Sequence, residues 1–230
     1  MTKVDVQFIV VGEAAVGKTT MVATLNDRHY CRIEPTIGVE FTSRDMEVNS
    51  AACTAIPGGI EPVTVKVWDT AGQERYRALI HGYFRNKAAA FLVFDVTNSE
   101  SFRACNFWWR ELQKNSNNSQ MVIVLVGNKC EAKMEPRRRV SHTAARDWAK
   151  DHGISYYEIS ARQNDGVKEM FQETLLKVLT LMDLHPRRRR ASTLDPRSSY
   201  LPITNPSPGV TISHTRPSPE SSWGTCCTLM

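Results

Sequence analysis

The residues most able to do chemistry stand together near the start of the chain. Gly12-Glu13-Ala14-Ala15-Val16-Gly17-Lys18-Thr19 follows the apolar run Val4–Val11 and opens the helix-like stretch Thr20–Leu25. A glycine-bounded loop between a strand and a helix turns backbone N–H groups inward on an anion, and the helix N-terminus adds partial positive charge. In this spacing Lys18 reaches the β- and γ-phosphate oxygens, the Thr19 hydroxyl takes Mg²⁺, and Thr20 continues the helix that the phosphates face. The expected ligand is a nucleoside triphosphate.

Further motifs follow in order along the chain. Pro35-Thr36-Ile37-Gly38 supplies Thr36, whose hydroxyl can complete a Mg²⁺ shell while its N–H meets the γ-phosphate. Trp68-Asp69-Thr70-Ala71-Gly72-Gln73-Glu74 follows the apolar strand Val63–Val67. That context sets Asp69 at a strand's carboxyl end as a Mg²⁺ holder, Gly72 as an N–H donor to the γ-phosphate, and Gln73 as the residue that orients an attacking water. Two base-reading candidates come last, each after an apolar strand: Gly127-Asn128-Lys129-Cys130-Glu131 and Ser160-Ala161-Arg162.

Elements must carry these loops, and the patterning predicts strands at 4–11, 38–48, 62–68, 89–95, 121–127 and 154–159. Helices are predicted at 17–27, 74–86, 100–114, 141–152 and 165–183. The alternation implies an α/β fold with a mostly parallel six-stranded sheet and helices on both faces, every motif loop lying at the carboxyl ends of strands. Met46–Pro62, with Pro57-Gly58-Gly59, is longer than a tight hairpin and reads as an exposed insertion, either a tolerated loop or a contact surface. Trp108 and Trp109 read as helix core and rim.

The motif set, over about residues 4–184, resembles the Ras superfamily of small GTPases. Ile37-Gly38-Val39-Glu40-Phe41 and Trp68-Asp69-Thr70-Ala71-Gly72-Gln73-Glu74-Arg75-Tyr76-Arg77-Ala78-Leu79 resemble the Rab family in particular. The resemblance implies a P-loop small GTPase fold, Mg²⁺ as cofactor, GTP as substrate and GDP as product. It implies slow intrinsic hydrolysis, with Gln73 and Lys18 as catalytic groups and an arginine supplied by a GTPase-activating partner. Asn128, Lys129, Glu131, Ser160, Ala161 and Arg162 would meet the base, and Tyr30, or His29 one position away, would cover its edge. Phe41, Trp68 and Tyr83 correspond to the aromatic trio that Rab proteins show to effectors, with core packing as the competing account.

The chain departs from the family pattern at three places. Glu131 stands where the family has Asp, one methylene longer than the acid that accepts the guanine N1–H and amine. Arg162 replaces a common lysine, and Ala14 and Ala15 replace small or glycine residues, which is expected to be sterically acceptable. Weakened base binding would make the chain a nucleotide-holding scaffold with little turnover. An adenylate-type kinase is disfavoured because the body shows no lid or acceptor-phosphate arginine cluster and carries Asp69–Gln73.

Composition divides the chain into a body and a tail. Residues 185–230 hold six Arg against two acidic residues and seven of the eleven prolines, without amphipathic period, so the expectation is a disordered tail from 185 behind a domain at 1–184. Arg187–Arg190 upstream of Cys226-Cys227-Thr228-Leu229-Met230 suits an anionic membrane surface better than nucleic acid. The terminal box offers Cys227 and Cys226 for two lipids, enough for stable anchoring, with farnesyl and geranylgeranyl both open. The resemblance adds an exchange factor, effectors, a prenylation escort and a dissociation inhibitor as partners. No signal peptide or transmembrane-length stretch is read, and scattered cysteines lack metal-ligand spacing. The expected place is the cytoplasmic face of an intracellular membrane, with a cytosolic pool and a role in vesicle trafficking.

Overall fold

The computed structural model describes residues 4–28, 36–48, 61–72, 80–118, 120–133 and 137–184. Tyr30, Gln73, the insertion's centre, Cys226, Cys227 and the whole tail lie outside the described residues. Six strands form one sheet: β1 Asp5–Val11, β2 Val39–Val48, β3 Glu61–Thr70, β4 Ala89–Asp95, β5 Val122–Asn128 and β6 Ser155–Glu158. Their order is β2-β3-β1-β4-β5-β6, with β2 antiparallel to β3 and every other pairing parallel.

Strand period 2 explains both faces of the sheet. Phe8 and Val10 of β1 point to one face with Val65, Val67, Phe91 and Val93, where α1 (Lys18–Leu25) and α5 (Val167–Leu184) cover them with Met21, Leu25, Phe171 and Leu175. Ile9 and Val11 point the other way with Leu92 and Phe94, under Trp108 and Leu112 of α3 (Cys105–Asn115) and Ala145 and Ala149 of α4 (His142–Asp151). β4 is buried at every residue, as a central parallel strand covered on both sides must be. β2, at the edge, is largely exposed or half-buried.

Three boundaries differ from expectation. The β2–β3 hairpin stays in register to Val48 opposite Glu61, so Met46–Val48 and Glu61–Pro62 belong to strands and the insertion shrinks to residues 49–60. The helix predicted at 100–114 is two, α2 (Ser99–Arg103) and α3, parted at Ala104. Ser101 explains this: its hydroxyl donates to Asn98 O at 2.7 Å and accepts from Asp95 N at 3.0 Å, pinning the first turn to the end of β4. Ala104 O then accepts a tight bond from Phe107 N at 3.0 Å. Of the helix predicted at 74–86, the described end is a 3-10 turn, His81–Phe84. Asn86 stops it at φ 59°, held by reciprocal bonds with Asn117 of 2.8 and 2.9 Å.

The β1-to-α1 turn bears on the site directly. Gly17, at φ 94°, precedes α1 without any side-chain cap, so the helix's first N–H groups are left for another acceptor. Ala15 sits at φ 59°, in the left-handed region where a Cβ is strained by about 1–2 kcal/mol. The expectation that alanine is sterically acceptable therefore fails at position 15, for a backbone reason. Ala15→Gly is expected to raise the stability of the protein by about 1 kcal/mol, read as a higher urea midpoint at fixed GDP and Mg²⁺; a lower midpoint would show that the strain is illusory.

Candidate functional site

Lys18 threads the loop that precedes it. Its Nζ donates to Gly12 O at 2.9 Å and Glu13 O at 2.8 Å, and the residue is 5 % exposed. Burial pushes its ammonium down to about 8, against the opposing pull of the Asp69 and Glu13 carboxylates. A buried ammonium bonded to carbonyl oxygens keeps charge that an anionic ligand could meet. The loop's backbone is crowded from outside: a Cβ on Gly17 would lie 2.4 Å from Asn128 Nδ2, and one on Gly72 would lie 2.3 Å from the Glu13 carbonyl carbon and 2.4 Å from Ala14 N. Gly72 thus closes directly on the loop after β1. Ala14 is exposed, and Val16 is buried in the core beneath.

Three oxygen donors from three separate segments converge beside Lys18. The Thr19 hydroxyl donates to Asp69 Oδ2 at 2.5 Å and lies 2.7 Å from the Thr36 hydroxyl, which must then be the donor of that second bond. Asp69 is 2 % exposed, and its Oδ1 is buried without a hydrogen-bond partner among the described residues. Burial pushes its carboxyl up to about 6, although the Thr19 bond and the Lys18 charge pull the other way. An orphaned carboxylate oxygen beside two hydroxyls is a donor set suited to a hard divalent cation such as Mg²⁺. The segments are clasped by Ala71 N donating to Gly38 O at 2.8 Å and by Thr70 Oγ1 donating to Val10 O at 2.7 Å.

The loops after β5 and β6 are sewn to the loop after β1 through Asn128. Its Nδ2 donates to Val16 O at 2.8 Å, and its Oδ1 accepts from Ala161 N at 3.0 Å. Thr24 Oγ1 of α1 adds a 2.7 Å bond to Ala161 O. Glu131, which sequence marks as one methylene too long, accepts from the Ser160 hydroxyl, so its carboxylate is held beside the second base motif. Lys129 adopts φ 68° and pairs with Asp95 Oδ2 at 2.7 Å, while Arg162 is exposed.

Sequence reasoning missed the support beneath. Glu158 accepts from Tyr156 at 2.6 Å and from both terminal nitrogens of Arg138, and Cys130 Sγ lies 3.6 Å from it. Arg138 holds the Glu158 carboxyl below its ordinary value against the effect of burial. No spacing signals this cluster, because the fold alone brings residues 130, 138, 156 and 158 together. Trp108 fills the core as expected but also donates from Nε1 to Glu13 Oε1 at 3.0 Å.

Phe41, Trp68 and Tyr83 form one aromatic surface. Ring centroids lie 5.1 Å apart for Phe41–Trp68 and 5.4 Å for Trp68–Tyr83, with Phe41 51 % and Tyr83 38 % exposed and Ile37 more open still. Core packing does not account for Phe41 or Tyr83, although Trp68 is partly packed against the sheet's core. Lys87 Nζ lies 4.6 Å from the Trp68 ring centre. Among the described residues no helix is long and apolar enough to cross a membrane, and no group of three or more His, Cys, Asp or Glu could hold a metal.

Residues 7–180 match the model of the Ras family. The chain is also 32 % identical, over 181 residues, to the Ras-related protein Rab-2B of Dictyostelium discoideum, an overlap spanning 78 % of this chain and 83 % of that protein. The strand order, with the buried Lys18 loop after β1 and the Thr19–Thr36–Asp69 cluster beside it, agrees with both likenesses, and the chain belongs to the Ras family as a Rab-like small GTPase.

Proposed function

We propose that this chain binds GTP with Mg²⁺, hydrolyses it to GDP, and serves as a membrane-tethered switch that recruits effectors in vesicle trafficking. The observation that carries the reading is the meeting of Thr19, Thr36 and Asp69 beside the buried Lys18. Mg²⁺, when bound, neutralises charge on the phosphates. Thr19, Thr36 and Asp69 are the residues that would hold it, and Lys18 adds fixed positive charge on the β- and γ-oxygens. Thr36 and Gly72 stand on segments clasped to each other and to the phosphate loop, an arrangement suited to sensing the γ-phosphate. Gln73, next in the chain, is assigned the positioning of water. Turnover is expected to be slow, and a GTPase-activating partner that supplies an arginine would speed it by roughly 10³–10⁵.

Base choice rests on Glu131 with Asn128, Lys129, Ser160, Ala161 and Arg162. An acid held by Ser160 can accept from the guanine N1–H and amine, and adenine would leave it unpaired. The exposed Phe41–Trp68–Tyr83 surface, together with Ile37, flanks the Thr36 segment and suits an effector that reads its state. An exchange factor would open the same segments. Membrane attachment is assigned to lipids on Cys226 and Cys227 with Arg187–Arg190 on anionic lipid, served by a prenylation escort and a dissociation inhibitor.

Gln73→Leu is expected to keep GTP binding while slowing single-turnover hydrolysis several-fold or more, and equal rates would remove Gln73 from catalysis. Replacing Cys226 and Cys227 together by Ser is expected to move the full-length protein from the membrane pellet to the supernatant with hydrolysis unchanged. Continued pelleting of that variant would mean that protein partners hold it there.

A further inference from the structure

Glu13 is an acid at the mouth of a phosphate-binding loop, where its charge would oppose the ligand unless it were drawn aside. It is drawn aside by Trp108, a residue with no exposed surface on α3, whose indole N–H donates to Glu13 Oε1 at 3.0 Å. The Cys105 thiol, one turn earlier on α3, is pushed up by burial and further by the Glu13 charge, which agrees with a carboxylate lying against that helix. The peptide of the same residue does two other jobs. Its carbonyl oxygen accepts from Lys18 Nζ at 2.8 Å, and its carbonyl carbon is the surface on which Gly72 closes, with room for hydrogen alone. Glu13 is therefore where the phosphate lysine, the segment leaving β3 and helix α3 meet.

We propose that the Glu13 carboxylate is a positioning group for nucleotide retention: held by the Trp108 indole, it fixes from α3 the peptide on which Lys18 and Gly72 both depend. The inference rests on the guanine-nucleotide reading above. Removing the carboxylate frees the Glu13 peptide, loosens Lys18, and shortens the residence of the nucleotide. Removing the indole does the same through the same bond, so the two losses are not independent.

The test is release of fluorescent mant-GDP from the loaded full-length protein in excess Mg²⁺, chased with unlabelled GDP. Glu13→Ala is expected to release about tenfold faster than the unsubstituted protein, the scale of a lost hydrogen bond to a charged group. Glu13→Gln, which keeps an acceptor oxygen, is expected to recover most of that loss. Trp108→Phe is expected to match Glu13→Ala, and the double variant to be no faster than either single one. Melting temperatures are measured alongside. A contact that matters only for folding would lower the melting temperature of Glu13→Ala and leave release unchanged, which overturns the proposal, as does a double variant whose effects multiply. If Trp108→Phe does not fold, the Ala and Gln variants of Glu13 decide the matter between them. Failure of the unsubstituted protein to retain mant-GDP would overturn the nucleotide reading and this inference with it, an outcome distinct from retention that Glu13→Ala leaves untouched.

Discussion

A buried lysine is the constraint around which the rest of the site is arranged. Lys18 keeps its charge inside the protein by donating to two carbonyls of the loop it threads, and those bonds fold the loop at residues 12–17 back over its side chain. Two backbone carbonyls do not balance an ammonium, and burial lowers its proton affinity accordingly. An anionic oxygen would meet that deficit. The neighbouring Asp69 has the opposite deficit, a buried carboxylate oxygen without a donor among the described residues, and it is one of the residues that would hold a divalent cation.

The sheet makes such an arrangement possible because β1 lies between β3 on one side and β4 on the other, so loops from both directions gather at one end. Asp69 leaves β3, the loop at residues 12–17 leaves β1, and Asn128 leaves β5. Asn128 then ties that loop to the loop after β6 with one amide, through Val16 O and Ala161 N. A change at the base is thus mechanically close to the phosphate loop. The edge strand β2 contributes the remaining segment, through Gly38 and Thr36, and it is the least buried part of the sheet. That suits an element required to answer to what occupies the site.

Much of this was legible in the sequence because the signals are local. Apolar runs ending in Gly, Asp or Asn marked the strands and the loops that follow them, and their alternation with helical stretches marked a mostly parallel sheet. What was not legible depends on tertiary contact. Nothing near residue 104 announces a broken helix; the break follows from Ser101 being tied to the end of β4. Ala15 reads as a harmless small residue until its backbone is seen to be left-handed. Nothing in the spacing shows that the Ser160 hydroxyl, twenty-nine residues away, holds the Glu131 carboxylate. The Arg138–Glu158 pair and the Trp108–Glu13 bond join residues whose separations carry no pattern.

The central claim is that these loops form a pocket for a guanine nucleotide with Mg²⁺, selected through Glu131. Competition between GTP and ATP for nucleotide-free, full-length protein in excess Mg²⁺ tests it most directly. Binding of GTP tighter than ATP by about 10²-fold or more is expected from an acid that adenine leaves unpaired. Equal affinity for the two, or retention of neither, would contradict it.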